Sequence, residues 1–125
     1  MMNMNTVIIG IGSNINPDEN IPRALKLLAE KVTIEKLSTL IKTKPIGITD
    51  QPDFINGAVK ITTFLSREEL QLFLKTTEDR TGRDRSQPRF GPRTIDLDIV
   101  VWNGEIVDPD YYTRDFLQIA VAEIW

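Results

Sequence analysis

The apolar positions of this chain change period as the sequence runs, and the changes mark out its elements. Residues 6–12, TVIIGIG, form a short apolar run of the length and composition of a buried strand. Asn16-Pro17-Asp18-Glu19 then opens a helix, with Asn16 as N-cap, Pro17 in the first turn and Glu19 three residues after the cap. Ile21, Leu25 and Leu28 follow at helical spacing and give that helix an apolar stripe. Residues 32–43 read as mostly strand, and the loop 44–53, with two prolines and a glycine, ends it. Residues 54–64 form the next strand. Ser66-Arg67-Glu68-Glu69 is a capping box, and its helix runs to about residue 82 with Leu70, Phe73, Leu74 and Thr77 turned inward. A loop over 83–93 leads to a last long strand, 94–101. Asn103-Gly104 is a hairpin signal, with the return through Ile106 and Val107.

The order strand, helix, strand, strand, helix, strand is two βαβ halves. It predicts an α+β, ferredoxin-like βαββαβ sandwich: an antiparallel sheet with two helices on one face, plus a C-terminal hairpin extension. The length of 125 residues fits a single domain over 1–125. The other sheet face is expected to be partly open. Alternation turns Ile55, Val59 and Ile61 toward the helices and Phe54 and Asn56 away from them. In the last strand Ile95, Leu97, Ile99 and Val101 share the inward face, while Asp96 and Asp98 share the open one.

Two aspartates on one strand face stand roughly 7 Å apart at Cα and repel unless something positive neutralises them. Composition narrows that partner. The chain has no histidine and no cysteine, which excludes imidazole catalysis, disulfides and thiolate or ordinary zinc sites. A metal here is therefore a hard cation held by oxygen, such as Mg²⁺, Mn²⁺ or Ca²⁺. A net charge of −3 argues against nucleic-acid binding, and no stretch is apolar enough to span a membrane. The start, MMNMNTVIIG, lacks the features of a signal peptide, so a cytoplasmic location is expected.

Against this acidic background, GRDRSQPRFGPR places Arg83, Arg85, Arg89 and Arg93 in one loop beside the aspartate strand. A solvated basic loop and a solvated polar sheet face would account for either feature alone. Together they supply arginine forks for phosphate and carboxylates for Mg²⁺, the parts phosphoryl transfer requires. The GIGSN stretch imitates a dinucleotide fingerprint, but the third glycine it needs is Ile15, and there is no Walker A lysine motif. Gly10 and Gly12 read instead as a low sheet floor beneath a ligand.

RFGPRTIDLDIV resembles the signature of the 6-hydroxymethyl-7,8-dihydropterin pyrophosphokinase family. IGIGSN, TKPIGITDQPDFINGAV and EDRTGRDR resemble further family blocks in the family's order. The resemblance implies transfer of pyrophosphate from ATP to the hydroxymethyl group of the pterin, releasing AMP, in folate biosynthesis. It implies two Mg²⁺ ions on Asp96 and Asp98, with Arg83 and Arg93 gripping the phosphates and Arg83 carried on a closing loop. Glu78, Arg85 and Ile99 fall on the nucleotide side. Thr43, Pro45, Ile46 and Gly47 line the pterin pocket. Phe54 and Phe116 flank the ring, and Asn56 bonds its polar edge. The partners implied are these two small molecules, with the chain a monomer or a homodimer.

The chain is a short variant of that pattern. The histidine-containing segment that follows the fourth strand in most members is reduced to VDPDYYTRDF, where Tyr111, Tyr112, Thr113 or Arg114 would have to substitute. Phe90 stands where the family has tryptophan, and Lys75 where it often has glutamine. A pterin-binding paralogue with little transferase activity is the alternative.

Overall fold

A computed structural model of the chain describes residues 3–125; Met1 and Met2, which begin the MMNMNTVIIG start, lie outside the described residues. Six strands and three helices follow in order: β1 (Asn5–Ser13), α1 (Pro17–Leu28), β2 (Thr33–Leu37), β3 (Ile41–Thr43), β4 (Phe54–Thr63), α2 (Arg67–Arg80), β5 (Asp96–Trp102), β6 (Glu105–Ile106) and α3 (Asp115–Ile124), with a 3₁₀ turn at Pro109–Tyr112. All strand pairs are antiparallel. The sheet order is β2-β4-β1-β5-β6, with β3 paired to β4 beyond β2. This is the ferredoxin-like α+β arrangement. The central β1 lies between β4 and β5, so the two βαβ halves interlock.

The principal core fills the space between the sheet and α1 and α2. Val7, Ile9 and Ile11 of β1 meet Ile21, Ala24 and Leu28 of α1 and Leu70, Phe73 and Leu74 of α2 there. The Ser66 hydroxyl accepts from the Glu69 N–H at 3.1 Å while Glu69 accepts from the Ser66 N–H at 2.9 Å, which closes the capping box that starts α2. Asn103 (φ 48) and Gly104 (φ 83) both take the left-handed conformation, as a two-residue hairpin turn requires.

Four features depart from the sequence expectation. Residues 32–43 are two strands, not one. Ser38 interrupts them: its N–H donates to Ala58 O and its hydroxyl accepts from Ala58 N–H at 2.8 Å, so one residue takes over the ladder while the chain bends. Asn16 holds the N-cap position through a left-handed backbone (φ 43) and makes no capping bond with its side chain. Its carbonyl accepts from Glu19 and Asn20 instead.

The third departure is in β5. The β1–β5 register slips between Ile8 and Ile9, so Ile9 faces Ile99 while Ile8 faces Val101. The extra residue, Val100, is a bulge, and beyond it the alternation reverses. Val101 therefore joins Val100 on the face away from α1 and α2, and Trp102 packs on the inner face.

The fourth is α3, a helix the sequence reading passed over. Leu117, Ala120, Val121 and Ile124 recur at helical spacing and pack on Ile8, Ala58, Val100 and Val101. Glu123 accepts from Thr39 N–H and hydroxyl, and Lys60 Nζ donates to Trp125 O, which pins the helix across the sheet. Half of the outer face is thus dry. The other half remains open and carries the cleft.

Candidate active site

The open half of the sheet forms the floor of a cleft of about 270 Å³. Gly10 and Gly12 of β1 lie at its centre. A β-carbon on Gly12 would collide with Asn56 Oδ1, and one on Gly10 would press on Val100 at 3.3 Å, so glycine keeps the floor low. Around it the fold gathers Thr43, Ile46, Phe54, Asn56 and Phe116 at one end and Arg93, Asp96 and Asp98 at the other. The Asn56 amide donates to the Thr43 hydroxyl at 2.6 Å, which fixes one edge of the first group. Pro45 and Gly47 belong to the same loop but do not line the cleft. Gly47 (φ 81) lies against Phe90, whose ring forms part of the wall.

Asp96 is held by two arginines. Arg83 Nη1 stands 3.3 Å from Oδ1 and Arg93 Nη1 stands 3.0 Å from Oδ2. Arg83 also donates to Ile95 O and pairs with Glu78 Oε2 at 3.1 Å. Glu78 is 7 % exposed, and burial is the chief cause that raises its carboxyl pKa, with Leu97 N–H and Arg83 opposing. It accepts the Leu97 N–H at 2.9 Å and pairs with Arg85 at 3.3 Å. This carboxylate therefore ties α2 to β5 and fixes two arginines behind the cleft. Arg83 follows Gly82 (φ 89), and its N–H donates to Glu78 O, so it is anchored at the helix end rather than carried out on the loop. The loop itself wraps a second recess lined by Arg83, Arg85, Arg89 and Arg93. The Ile99 side chain is 6 % exposed and belongs to the inner core, away from the cleft.

Asp98 looks into the cleft mouth. Burial of the carboxyl among its neighbours, then the charges of Asp96, Asp108 and Glu78, raise its pKa from 3.8 to about 8, with Arg93 opposing. Water reaches the side chain, which is exposed by surface area, so screening moderates this energy. The folded state binds this proton more tightly than the unfolded chain, so ionising Asp98 costs stability between about pH 4 and pH 8. Without metal, Asp98→Asn is expected to melt higher than the parent at pH 8.5, by on the order of 1–2 kcal/mol, and by little at pH 5. Thermal unfolding in chelator at the two pH values measures it; an equal difference at both would contradict the assignment.

The donor chemistry fits a hard divalent cation. Among the described residues there is no group of three or more acidic, histidine or cysteine side chains able to hold a metal. Asp96 and Asp98 would thus supply two carboxylates and leave the remaining positions to phosphate oxygens and water, the usual habit of Mg²⁺.

The sequence reading missed Asp108 and Asp110, which line the cleft with Asp98. Of the four residues offered as substitutes for the absent histidine segment, Arg114 alone reaches it. Arg114 stands 4.0 Å from Asp110. Tyr111 packs under α3, and Tyr112 is exposed with its ring edge-on to Tyr111 at 5.3 Å. The 3₁₀ turn that aims Arg114 begins where the Asp108 side chain accepts from Asp110 N–H, a signal legible in the Asp-Pro-Asp triplet.

Paired carboxylates, one of them held by two arginines, beside an aromatic and amide end on a ferredoxin-like sheet are the parts of a phosphoryl-transfer site. The family model for 7,8-dihydro-6-hydroxymethylpterin-pyrophosphokinase matches residues 8–125. The chain is 39 % identical to the 2-amino-4-hydroxy-6-hydroxymethyldihydropteridine pyrophosphokinase of Bacillus subtilis (strain 168), over 96 % of this chain and 78 % of that one. It is 36 % identical to the enzyme of the same name from Haemophilus influenzae, over 97 % and 82 %. A folate synthesis bifunctional protein of Arabidopsis thaliana is 39 % identical over 77 % of this chain and 20 % of its own length. The chain belongs to the 7,8-dihydro-6-hydroxymethylpterin-pyrophosphokinase family.

Proposed function

We propose that this chain, acting as one domain over residues 1–125, transfers the β,γ-pyrophosphoryl group of ATP to the hydroxymethyl group of 6-hydroxymethyl-7,8-dihydropterin. The pterin hydroxyl oxygen attacks the β-phosphorus and gives up its proton to solvent, the bond from that phosphorus to the bridging α,β-oxygen breaks, and AMP leaves with that oxygen. The observation that carries this reading is one cleft that joins an aromatic and amide group on β4 to a carboxylate–arginine group by β5, on either side of Gly10 and Gly12 of β1.

Phe54 and Phe116 flank the pterin ring and Asn56 meets its polar edge, with Thr43, Pro45, Ile46 and Gly47 shaping the surrounding loop. Asp96 and Asp98 would hold two Mg²⁺ ions together with the ATP phosphates. When bound, the ions neutralise the polyphosphate and lower its repulsion of the attacking oxygen. Arg83 and Arg93 stabilise the charge that develops on the transferred group. Glu78 and Arg85 support the nucleotide side, where Ile99 stiffens the strand that carries the metal ligands. Arg114 adds a cation on the wall that in other members carries the histidine segment. Both substrates are small molecules. No helix among the described residues is long and apolar enough to cross a membrane.

The test is AMP release from Mg-ATP, with and without the pterin. Pterin-dependent AMP in amounts equal to the pyrophosphorylated pterin is the expected result. Pterin binding with no AMP would overturn the transfer and leave a pterin-binding protein.

A further inference from the structure

Asn14 closes the GIGSN stretch, and the cleft gives it no task. It lies just past β1, is 4 % exposed and lines no wall of the site. Its backbone N–H and its side-chain amide are nonetheless fully engaged. The backbone N–H donates to Arg93 O at 3.1 Å, and Oδ1 accepts from Arg93 N–H at 2.8 Å. Nδ2 donates to Gln51 Oε1 at 2.9 Å and to Pro52 O at 3.0 Å. Gln51 passes the connection on: its Nε2 donates to Ile48 O at 2.7 Å and to Phe90 O at 2.6 Å.

These two side chains touch three segments. One is the end of the central strand, the second is the 44–53 loop beside the pterin end, and the third is the 83–93 loop that carries Arg93. Among the described residues, the Gln51–Phe90 bond is the one hydrogen bond that runs directly between the two loops. Gly47 reinforces it, because a β-carbon there would stand 2.9 Å from the Phe90 ring. The chemistry needs amides. Each side chain must accept with one atom and donate twice with the other, which neither a carboxylate nor an alkyl group can do. A buried amide left without partners is costly, so the joint holds as a unit or opens as a unit.

We propose that Asn14 and Gln51 form a two-amide clasp that couples the two loops, so that the pterin end and the phosphate end of the cleft settle together. Both are positioning residues: they touch neither substrate and act through Phe90 and Arg93. The proposal rests on the functional reading above for the identity of the two ligands.

The probes are 6-hydroxymethylpterin and Mg²⁺ with the α,β-methylene analogue of ATP, whose carbon bridge replaces the oxygen that transfer would release. Calorimetry gives pterin affinity with and without the analogue. In the parent chain the analogue should tighten pterin binding by about tenfold. In Gln51→Glu, which keeps the acceptor for Asn14 but loses both donors, that factor should fall toward one while pterin affinity alone changes little. Parent-like coupling in Gln51→Glu, or no coupling in the parent, overturns the clasp. Hydrogen exchange on the ligand-free chain decides the same point independently. The clasp requires faster exchange in both 44–53 and 83–93 on substitution, and acceleration confined to 44–53 overturns it. If the parent binds no pterin at all, the functional reading fails, and the exchange result still judges the clasp.

Discussion

Asp96→Asn is expected to cut AMP formation by on the order of a thousandfold while pterin binding survives. The loss has two sources. An asparagine oxygen is a poor ligand for a hard cation, so the metal and the phosphates it orients lose their shared anchor. Asp96 is also the carboxylate on which Arg83 and Arg93 converge, at 3.3 and 3.0 Å. Neutralising it frees two guanidinium groups that the fold aims at one point. The pterin end, built from Phe54, Asn56 and Phe116, belongs to other strands and α3 and is left intact. Calorimetric binding of pterin beside a single-turnover AMP assay separates the two effects. A parent-like rate would remove Asp96 from the metal site.

Arg83→Ala is expected to lower the single-turnover rate by on the order of a hundredfold to a thousandfold, with pterin affinity nearly unchanged. Arg83 sits low in the site, its side chain 14 % exposed, between Glu78 and Asp96. Its anchoring at the end of α2 means that its charge is positioned before substrate arrives, the condition under which a cation stabilises a transition state well. The substitution also leaves Glu78 with a weaker set of partners, so some loss of thermal stability accompanies it. Arg83→Lys separates these contributions. It restores charge for Glu78 but not the fork geometry, so stability should recover more than rate. An unchanged single-turnover rate in Arg83→Ala would remove its catalytic role.

Local patterns in the sequence foretold much of the scaffold. Ser66 and Glu69 mark their helix start because a capping box is a four-residue affair, and Asn103-Gly104 marks its turn because both residues tolerate positive φ. Side-chain alternation placed Asp96 and Asp98 together on the outer face because the strand is regular up to Ile99. It failed at Val101, just past the bulge at Val100, since a bulge is set by the partner strand and leaves no mark in β5 itself. The α3 helix carries its period in Leu117, Ala120, Val121 and Ile124, but it is short and its N-cap, Arg114, makes no side-chain capping bond, so it lacks the start signal that Ser66 gives α2. Arg114 and Asp108 entered the cleft only through the turn that α3 and the hairpin jointly impose. The partners of Glu78 and Asn14 lie up to 79 residues away along the chain, as in the Asn14–Arg93 bond, and such pairings are decided by the tertiary fold.

The place of β1 in the middle of the sheet has a consequence for biosynthesis. This strand leaves the ribosome well before both of its partners, since Asn5 pairs with Thr63 and Val7 with Trp102. At bacterial and eukaryotic translation speeds the second partner follows after roughly 5–20 s. During that interval VIIGIG can shelter one face under α1 and bond β4 along one edge, while its other edge stays unpaired. The hairpin and α3, which complete the outer face, come later still. A nascent chain of this protein therefore carries a sticky central strand until its second partner is made, and its demand for chaperone protection should end only when β5 emerges.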